Sequence, residues 1–231
     1  MGNHYIVTGA SRGIGFELVK CLAAQNHRVT VAARTESKLS SLRQLYPEQI
    51  QPVAVDITTK EGRGEIVNLL KSKDLKLDGV VHNAGLLINK TFEDLTEEDW
   101  QNQLDVNLLA PVFLTRDLLP YLKPGSHILN IGSMGGFQGS SKFPGLTGYS
   151  VAKGALSIFT ECLAGELNEH KIVSNCLCLG AVQTEMLENA FPGMQAPVQP
   201  GEMGEYIANF LLNAHKFYNG RVLPVSLADP S

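Results

Sequence analysis

The chain has 231 residues, 44% of them hydrophobic and 18% charged, with a formal net charge of −4. That length and balance exclude a disordered chain and suit one α/β domain with a sizeable core. The mild acidity argues against nucleic acid or an anionic membrane as partner, and no apolar stretch approaches the roughly 20 residues that cross a bilayer.

The start of the chain lacks a basic region and a long apolar core, so no signal peptide is expected. Ile6 stands where a myristoylation signal needs Ser or Thr. The four cysteines, Cys21, Cys162, Cys176 and Cys178, form no C-x-x-C pair, and the six histidines show no ligand spacing. Buried free thiols in a reducing cytoplasm are expected, and no metal.

The first predicted strand, His4 to Val7, runs into Thr8-Gly9-Ala10-Ser11-Arg12-Gly13-Ile14-Gly15. An amphipathic helix follows, with Phe16, Leu18, Val19, Leu22 and Ala23 on its apolar side. A glycine turn between first strand and first helix has the outline of a dinucleotide phosphate loop, because glycine lets the backbone approach a pyrophosphate at a helix N-terminus. The second strand, Val29 to Arg34, ends on Ala33-Arg34, where NAD-binding units usually carry an acid for the adenosine ribose. With Arg12 inside the loop, two cations replace that acid. An arginine binds a 2′-phosphate by charge-assisted hydrogen bonds, so NADP(H) is favoured over NAD(H). The competing reading of Arg34 is a solvated residue leading into a helix.

A helix is predicted over 37–46 and a third strand over 52–57, with Asp56 at its carboxyl end. Asp56 is placed either to touch a cofactor or to cap the next helix, 61–73. The fourth strand, 77–81, leads to Asn83-Ala84-Gly85, again at a strand end where ligands bind. Thr96 to Asp99 reads as a capping box. The helix it opens runs through Asn107, is expected to break near Pro111 and resumes to Tyr121. Asn107 reads either as a satisfied core amide or as a bridge to an ordered water. The fifth strand, 127–133, ends on Ser133.

A glycine-rich connection leads to Tyr149-Ser150-Val151-Ala152-Lys153 at the head of a long helix to about Glu169. Tyr149 and Lys153 then share one helix face, and an ammonium beside the phenol would lower its pKa toward a useful range. A sixth strand is predicted over 172–179. Residues 185–200 have the composition of an apolar lid, or of a plain surface excursion. A helix over 202–213 and a strand over 221–227 close the chain. Alternating strands and helices give an α/β fold, a single doubly wound parallel sheet of about seven strands with helices on both faces.

These residues resemble the classical short-chain dehydrogenase/reductases over nearly the full length. Thr8 to Gly15 is similar to the family's TGxxxGIG loop, Asn83-Ala84-Gly85 to its NAG motif, and Asn107, Ser133, Tyr149 and Lys153 to its Asn-Ser-Tyr-Lys tetrad in order. The resemblance implies one Rossmann-like domain over 1–231 with a substrate lid at about 184–200. It implies that Tyr149 exchanges a proton with a carbonyl or alcohol oxygen and that Ser133 polarises that oxygen. Lys153 would lower the Tyr pKa and bind the nicotinamide ribose, and Asn107 would hold a water. Cofactor contacts would come from Gly9, Ser11, Arg12, Gly13, Ile14, Gly15, Arg34, Asp56, Ile57, Asn83, Ala84, Gly85, Tyr149, Lys153, Gly180, Val182 and Thr184. For the substrate, Ser133, Phe137, Phe143, Tyr149, Met186 and Leu187 are candidates, and Leu146 and Phe191 fit an apolar wall.

Three features depart from the family's pattern. Leu179 stands where the family has proline, and the Ser133–Tyr149 connection is about three residues longer than the commonest spacing. Val225-Ser226-Leu227-Ala228-Asp229 replaces an Asp-Gly-Gly ending. Ser140 and Ser141 are rival polarisers in that connection, but a serine at the strand end is better positioned, which favours Ser133.

The leading expectation is an NADP(H)-dependent cytoplasmic oxidoreductase acting on a small-molecule carbonyl or secondary alcohol, assembled as a homodimer or homotetramer. One alternative is a catalytically silent nucleotide sensor. Another is a reductase for 3-oxoacyl groups on an acidic carrier protein, for which Arg116, Lys123 and Lys142 are candidate docking cations.

Overall fold

The computed structural model describes residues Gly2 to Leu227. Seven strands form one parallel sheet: β1 His4–Thr8, β2 Arg28–Ala33, β3 Ile50–Ala54, β4 Leu77–His82, β5 Leu122–Ser133, β6 Val173–Leu179 and β7 Arg221–Val225. Their order is β3-β2-β1-β4-β5-β6-β7, a doubly wound, single-domain Rossmann-like arrangement. Every residue of β1 is buried, which is why its sequence reads as a continuous apolar run rather than an alternation.

Helices cover both faces. On one side α1 (Gly13–Ala24), α2 (Glu36–Leu45) and α8 (Pro200–Asn213) pack Leu18, Leu39 and Ile207 with Val7 and Val31. On the other α3 (Lys60–Ser72), α5 (Ala110–Leu118) and α6 (Thr147–Glu166) pack Ile66, Leu114 and Leu163 with Ile6 and Val80. Neighbouring Ile6 and Val7 enter opposite cores because side chains alternate across a strand.

Several predicted boundaries shift for local reasons. The helix opened by the Thr96–Asp99 capping box is α4 (Glu97–Leu104), and it is interrupted by a π turn over Asp105–Leu109, not at Pro111. Pro111 sits in the first turn of α5, where its missing N–H costs nothing. Asp56 does not cap α3. Thr59 does, its hydroxyl accepting from the Gly62 N–H at 3.0 Å, while Asp56 Oδ1 accepts from the N–H and hydroxyl of Thr58.

Between β6 and α8 the chain forms the short helix α7 (Glu185–Ala190), and Val182 pairs with Val198 in an isolated parallel bridge. The last two residues of the atypical ending, Ala228 and Asp229, lie outside the described residues. Of the cysteines, Cys176 and Cys178 are buried on one face of β6, whereas Cys162 is exposed, against the expectation of burial.

Candidate active site

The sheet order reverses between β1 and β4, and the carboxyl ends of β1, β4 and β5 bring the candidate residues to one edge. The glycine loop and the NAG segment are built into each other there. Gly9 has φ +69° and lies so close to Ala84 that a Cβ would overlap its backbone; a Cβ on Gly15 would strike Asn83 Nδ2. Asn83 Nδ2 donates to the Thr8 and Gly9 carbonyls at 3.0 and 3.1 Å, and Thr8 Oγ1 accepts from the N–H groups of Asn83 and Ala84. Asn83 thus fixes the loop's shape. Thr8, which sequence reasoning left out of the site, is its partner; a hydroxyl ending an apolar strand was the available signal.

The first turn of α1 fits a bound pyrophosphate. Its N-cap, Arg12, makes no side-chain capping bond, and no acid stands in the first turn. The leading N–H groups of a helix have no intrahelical partner and favour an anion. Ser11 and Ile14 flank this turn, with Ile14 anchored against the core.

Ser133 ends β5 and hydrogen-bonds Tyr149, which shares α6 with Lys153. Lys153 is 3% exposed, and its Nζ donates to the Ile131 carbonyl at 2.8 Å while lying 5.8 Å from the Tyr149 ring centre. Burial pulls the Lys153 ammonium down to about 8. Burial pushes the Tyr149 phenol up to about 12, against a hydrogen bond from Ser133 that acts to lower it. The expected lowering of the phenol by Lys153 is not among the influences on it here: burial raises it, only the Ser133 hydrogen bond opposes that, and the lysine is turned to the Ile131 carbonyl.

Asn107 lies in the π turn, fully buried. Its Nδ2 donates to the Leu86 and Gln103 carbonyls at 2.7 and 2.9 Å, and its Oδ1 accepts from the Leu86 N–H at 3.1 Å. The side chain is thus held to main chain by three hydrogen bonds. A side chain on Gly85 would touch Asn107 Oδ1, Met186 Cε and Lys153 Nζ, which shows how closely these groups converge.

The substrate candidates divide. Met186 Cε comes near the same point beside Gly85 as Asn107 Oδ1 and Lys153 Nζ. Phe137 packs against Met134, Cys176 and Cys178, so it belongs to a small core cluster, and Leu146 is buried. Phe143 is among the exposed apolar side chains, and Leu187 is half-buried. Of the two rivals to Ser133, Ser140 is spent on the Met134 and Phe137 carbonyls and Ser141 is exposed.

The remaining cofactor candidates are mixed. Thr184 caps α7 through the Leu187 N–H, and its side chain abuts Gly13. Val182 and Ile57 are buried in the two cores, and the Gly180 N–H is taken by the Val225 carbonyl. Arg34 is exposed and close enough to Asp56 to help its turn hydrogen bonds hold that carboxyl below its usual range, against burial. Arg12 is ion-paired with Glu185, which Lys38 also approaches at 3.8 Å. Neither Lys38 nor Glu185 was among the sequence candidates. Of the carrier-docking cations, Arg116 is paired with Asp117, Lys123 with Asp78, and Lys142 with the Phe137 carbonyl.

Residues 3–195 match the model of the short chain dehydrogenase family. The chain belongs to that family. An uncharacterized oxidoreductase of Staphylococcus saprophyticus is 30% identical to this short-chain dehydrogenase over 206 residues, covering 87% of each chain. Benzil reductase ((S)-benzoin forming) of Saccharomyces cerevisiae is 33% identical over 80% of this chain and 74% of its own. Among solved structures, L-sorbose reductase from Gluconobacter frateurii, in complex with NADPH and L-sorbose, superposes with TM-score 0.88 at 25% identity over 100% and 97% of the two chains. A 3-ketoacyl-(acyl-carrier-protein) reductase from Brucella melitensis, complexed with NADH, gives TM-score 0.88 at 25% identity over 97% and 96%. The short-chain dehydrogenase thus shares the fold of oxidoreductases whose structures hold either nicotinamide cofactor.

Proposed function

We propose that this short-chain dehydrogenase reduces a small-molecule carbonyl to a secondary alcohol with NADPH, Tyr149 supplying the proton. The observation that carries the reading is the meeting of the Ser133 hydroxyl with the Tyr149 phenol, with Lys153 Nζ 5.8 Å from the same ring. When bound, the nicotinamide supplies the hydride. Tyr149 Oη gives its proton to the oxygen as alkoxide character develops, and the Ser133 hydroxyl stabilises the same oxygen by hydrogen bonding. A phenol near 12 is a weak acid toward water but a sufficient one toward an alkoxide.

Lys153, buried and fixed on Ile131, holds the α6 side of the site and offers Nζ protons to a ribose hydroxyl. Asn107 positions Gly85 and Leu86, and through them the floor of the cleft. Arg12 and Arg34 would receive a 2′-phosphate. Residues 184–200 serve as the lid, with Met186 over the catalytic cluster. Exposed Val151 and Ile158 on α6 supply an apolar stripe for a homodimer or homotetramer, and free thiols suit a reducing cytoplasm. Benzil and L-sorbose, substrates named for the two reductases it resembles, belong in the first panel of carbonyls. The carrier-protein alternative has little support from Arg116 and Lys123, whose charges are already paired.

The test is a panel of diketones, ketoses and simple aldehydes offered with NADPH and with NADH, the alcohol identified chromatographically. Alcohol formed in step with NADPH oxidation is expected for part of the panel. Cofactor that binds tightly yet is never oxidised would turn the reading toward the nucleotide sensor.

A further inference from the structure

One carboxylate bridges two cations that come from different parts of the cofactor side. Glu185, the first residue of α7, is ion-paired with Arg12 of the glycine loop and stands 3.8 Å from Lys38 in the first turn of α2. Just before it, Thr184 packs on Gly13, which is itself held at φ +59°. The beginning of the 184–200 segment is therefore docked on the loop that precedes α1, and its charge lies on Arg12, one of the two cations that the sequence assigned to a 2′-phosphate, and beside Lys38.

We propose that Glu185 is a specificity-determining residue that counts against the 2′-phosphate: its carboxylate occupies Arg12 and Lys38, and a dinucleotide carrying that phosphate must displace it. The inference rests on the NADP(H) reading above. A 2′-phosphate brings a charge of about −2 at neutral pH and acceptor oxygens suited to a guanidinium. Beside an undisplaced carboxylate it would meet like-charge repulsion; with the carboxylate gone it gains both cations. A dinucleotide without the phosphate makes no demand on Arg12 and leaves the ion pair intact. Glu185 accordingly narrows the preference for NADPH that Arg12, Arg34 and Lys38 create, and it links the choice of cofactor to release of the start of the lid. All three partners are about half exposed, so the effect is modest: a solvent-screened charge of this kind changes affinity by about three- to fivefold.

The test is direct binding, by calorimetry, of NADPH, NADH, adenosine 2′,5′-bisphosphate and adenosine 5′-monophosphate to the wild type, Glu185→Gln, Arg12→Gln and the double variant. Glu185→Gln should tighten NADPH and the bisphosphate about three- to fivefold and leave NADH and the monophosphate unchanged. That selectivity separates displacement from a general loosening of α7, which would move all four ligands. In the Arg12→Gln background the gain should shrink, since the carboxylate acts through that guanidinium. Unchanged or weaker NADPH binding by Glu185→Gln overturns the proposal, the weaker result showing a clasp over the bound cofactor instead. A wild type that binds NADH better than NADPH would sink the cofactor reading by itself. The bisphosphate arm still decides the role of Glu185 in that case.

Discussion

The floor of the cleft and its rim are built on opposite physical terms. Ser133, Tyr149, Lys153 and Asn107 sit where strand ends meet buried helix faces, and their hydrogen bonds run to main chain or to each other. Arg12, Lys38 and Glu185 stand in water on a loop and first turns, joined by exposed ion pairs, and Arg34 is exposed near Asp56. Removing water from the floor moves proton affinities by large amounts, whereas water over the rim screens every pair. Substitutions in the floor should therefore act on turnover or folding, and those in the rim on cofactor affinity.

A wide separation comes from Ser133→Ala. It removes the hydroxyl that shares the reacting oxygen with Tyr149, and steady-state kinetics should show kcat lower by about a hundredfold with cofactor affinity unchanged. A comparable loss in NADPH affinity would erase the distinction between floor and rim. Next, Asn83→Ala strips the Thr8 and Gly9 carbonyls of their donor, and urea unfolding should record a loss of about 2 kcal/mol.

Lys153 gives a test in pH. Its folded-state value, about 8, lies below the ordinary 10.5, so between these values the unfolded chain holds a proton that the folded chain has released. Stability must then rise with pH across that window. From pH 8 to about 10 the wild type should gain about 1–2 kcal/mol relative to Lys153→Met, by urea unfolding at each pH. A constant difference would mean that Lys153 is not desolvated as described. The smallest effect belongs to the rim: Arg34→Ala should weaken NADPH about fivefold, less at high salt, and leave NADH unaffected. Equal weakening of both cofactors would assign Arg34 to the adenosine rather than the phosphate.

What could be read from sequence follows the same division. The glycine loop, the NAG segment and the Tyr149–Lys153 pair were legible because each is local: a turn chemistry or a helical spacing carries it. The doubly wound parallel sheet of about seven strands and the helices on both its faces followed from the alternation of strand and helix patterns along the chain. Four things were not legible. The π turn around Asn107 replaces a break expected at proline, and nothing in its five residues announces the widened hydrogen bonding. Lys153 finds the Ile131 carbonyl, 22 positions away, so its effect on Tyr149 could not be read from their spacing. Phe137 fills a gap beside Cys176 and Cys178, a packing choice made by the tertiary fold. Glu185 meets Arg12 across 173 positions, a pairing that charge type permits but does not specify.

The central claim is that the phenol of Tyr149 is the proton donor and has no part in holding the cofactor's phosphates. Tyr149→Phe keeps the ring and its packing and removes only the hydroxyl. Measured side by side on one carbonyl that the wild type reduces, the variant should bind NADPH within about twofold of wild type and turn over about 10³-fold more slowly, within the range general acids supply. Turnover equal to wild type would contradict the account.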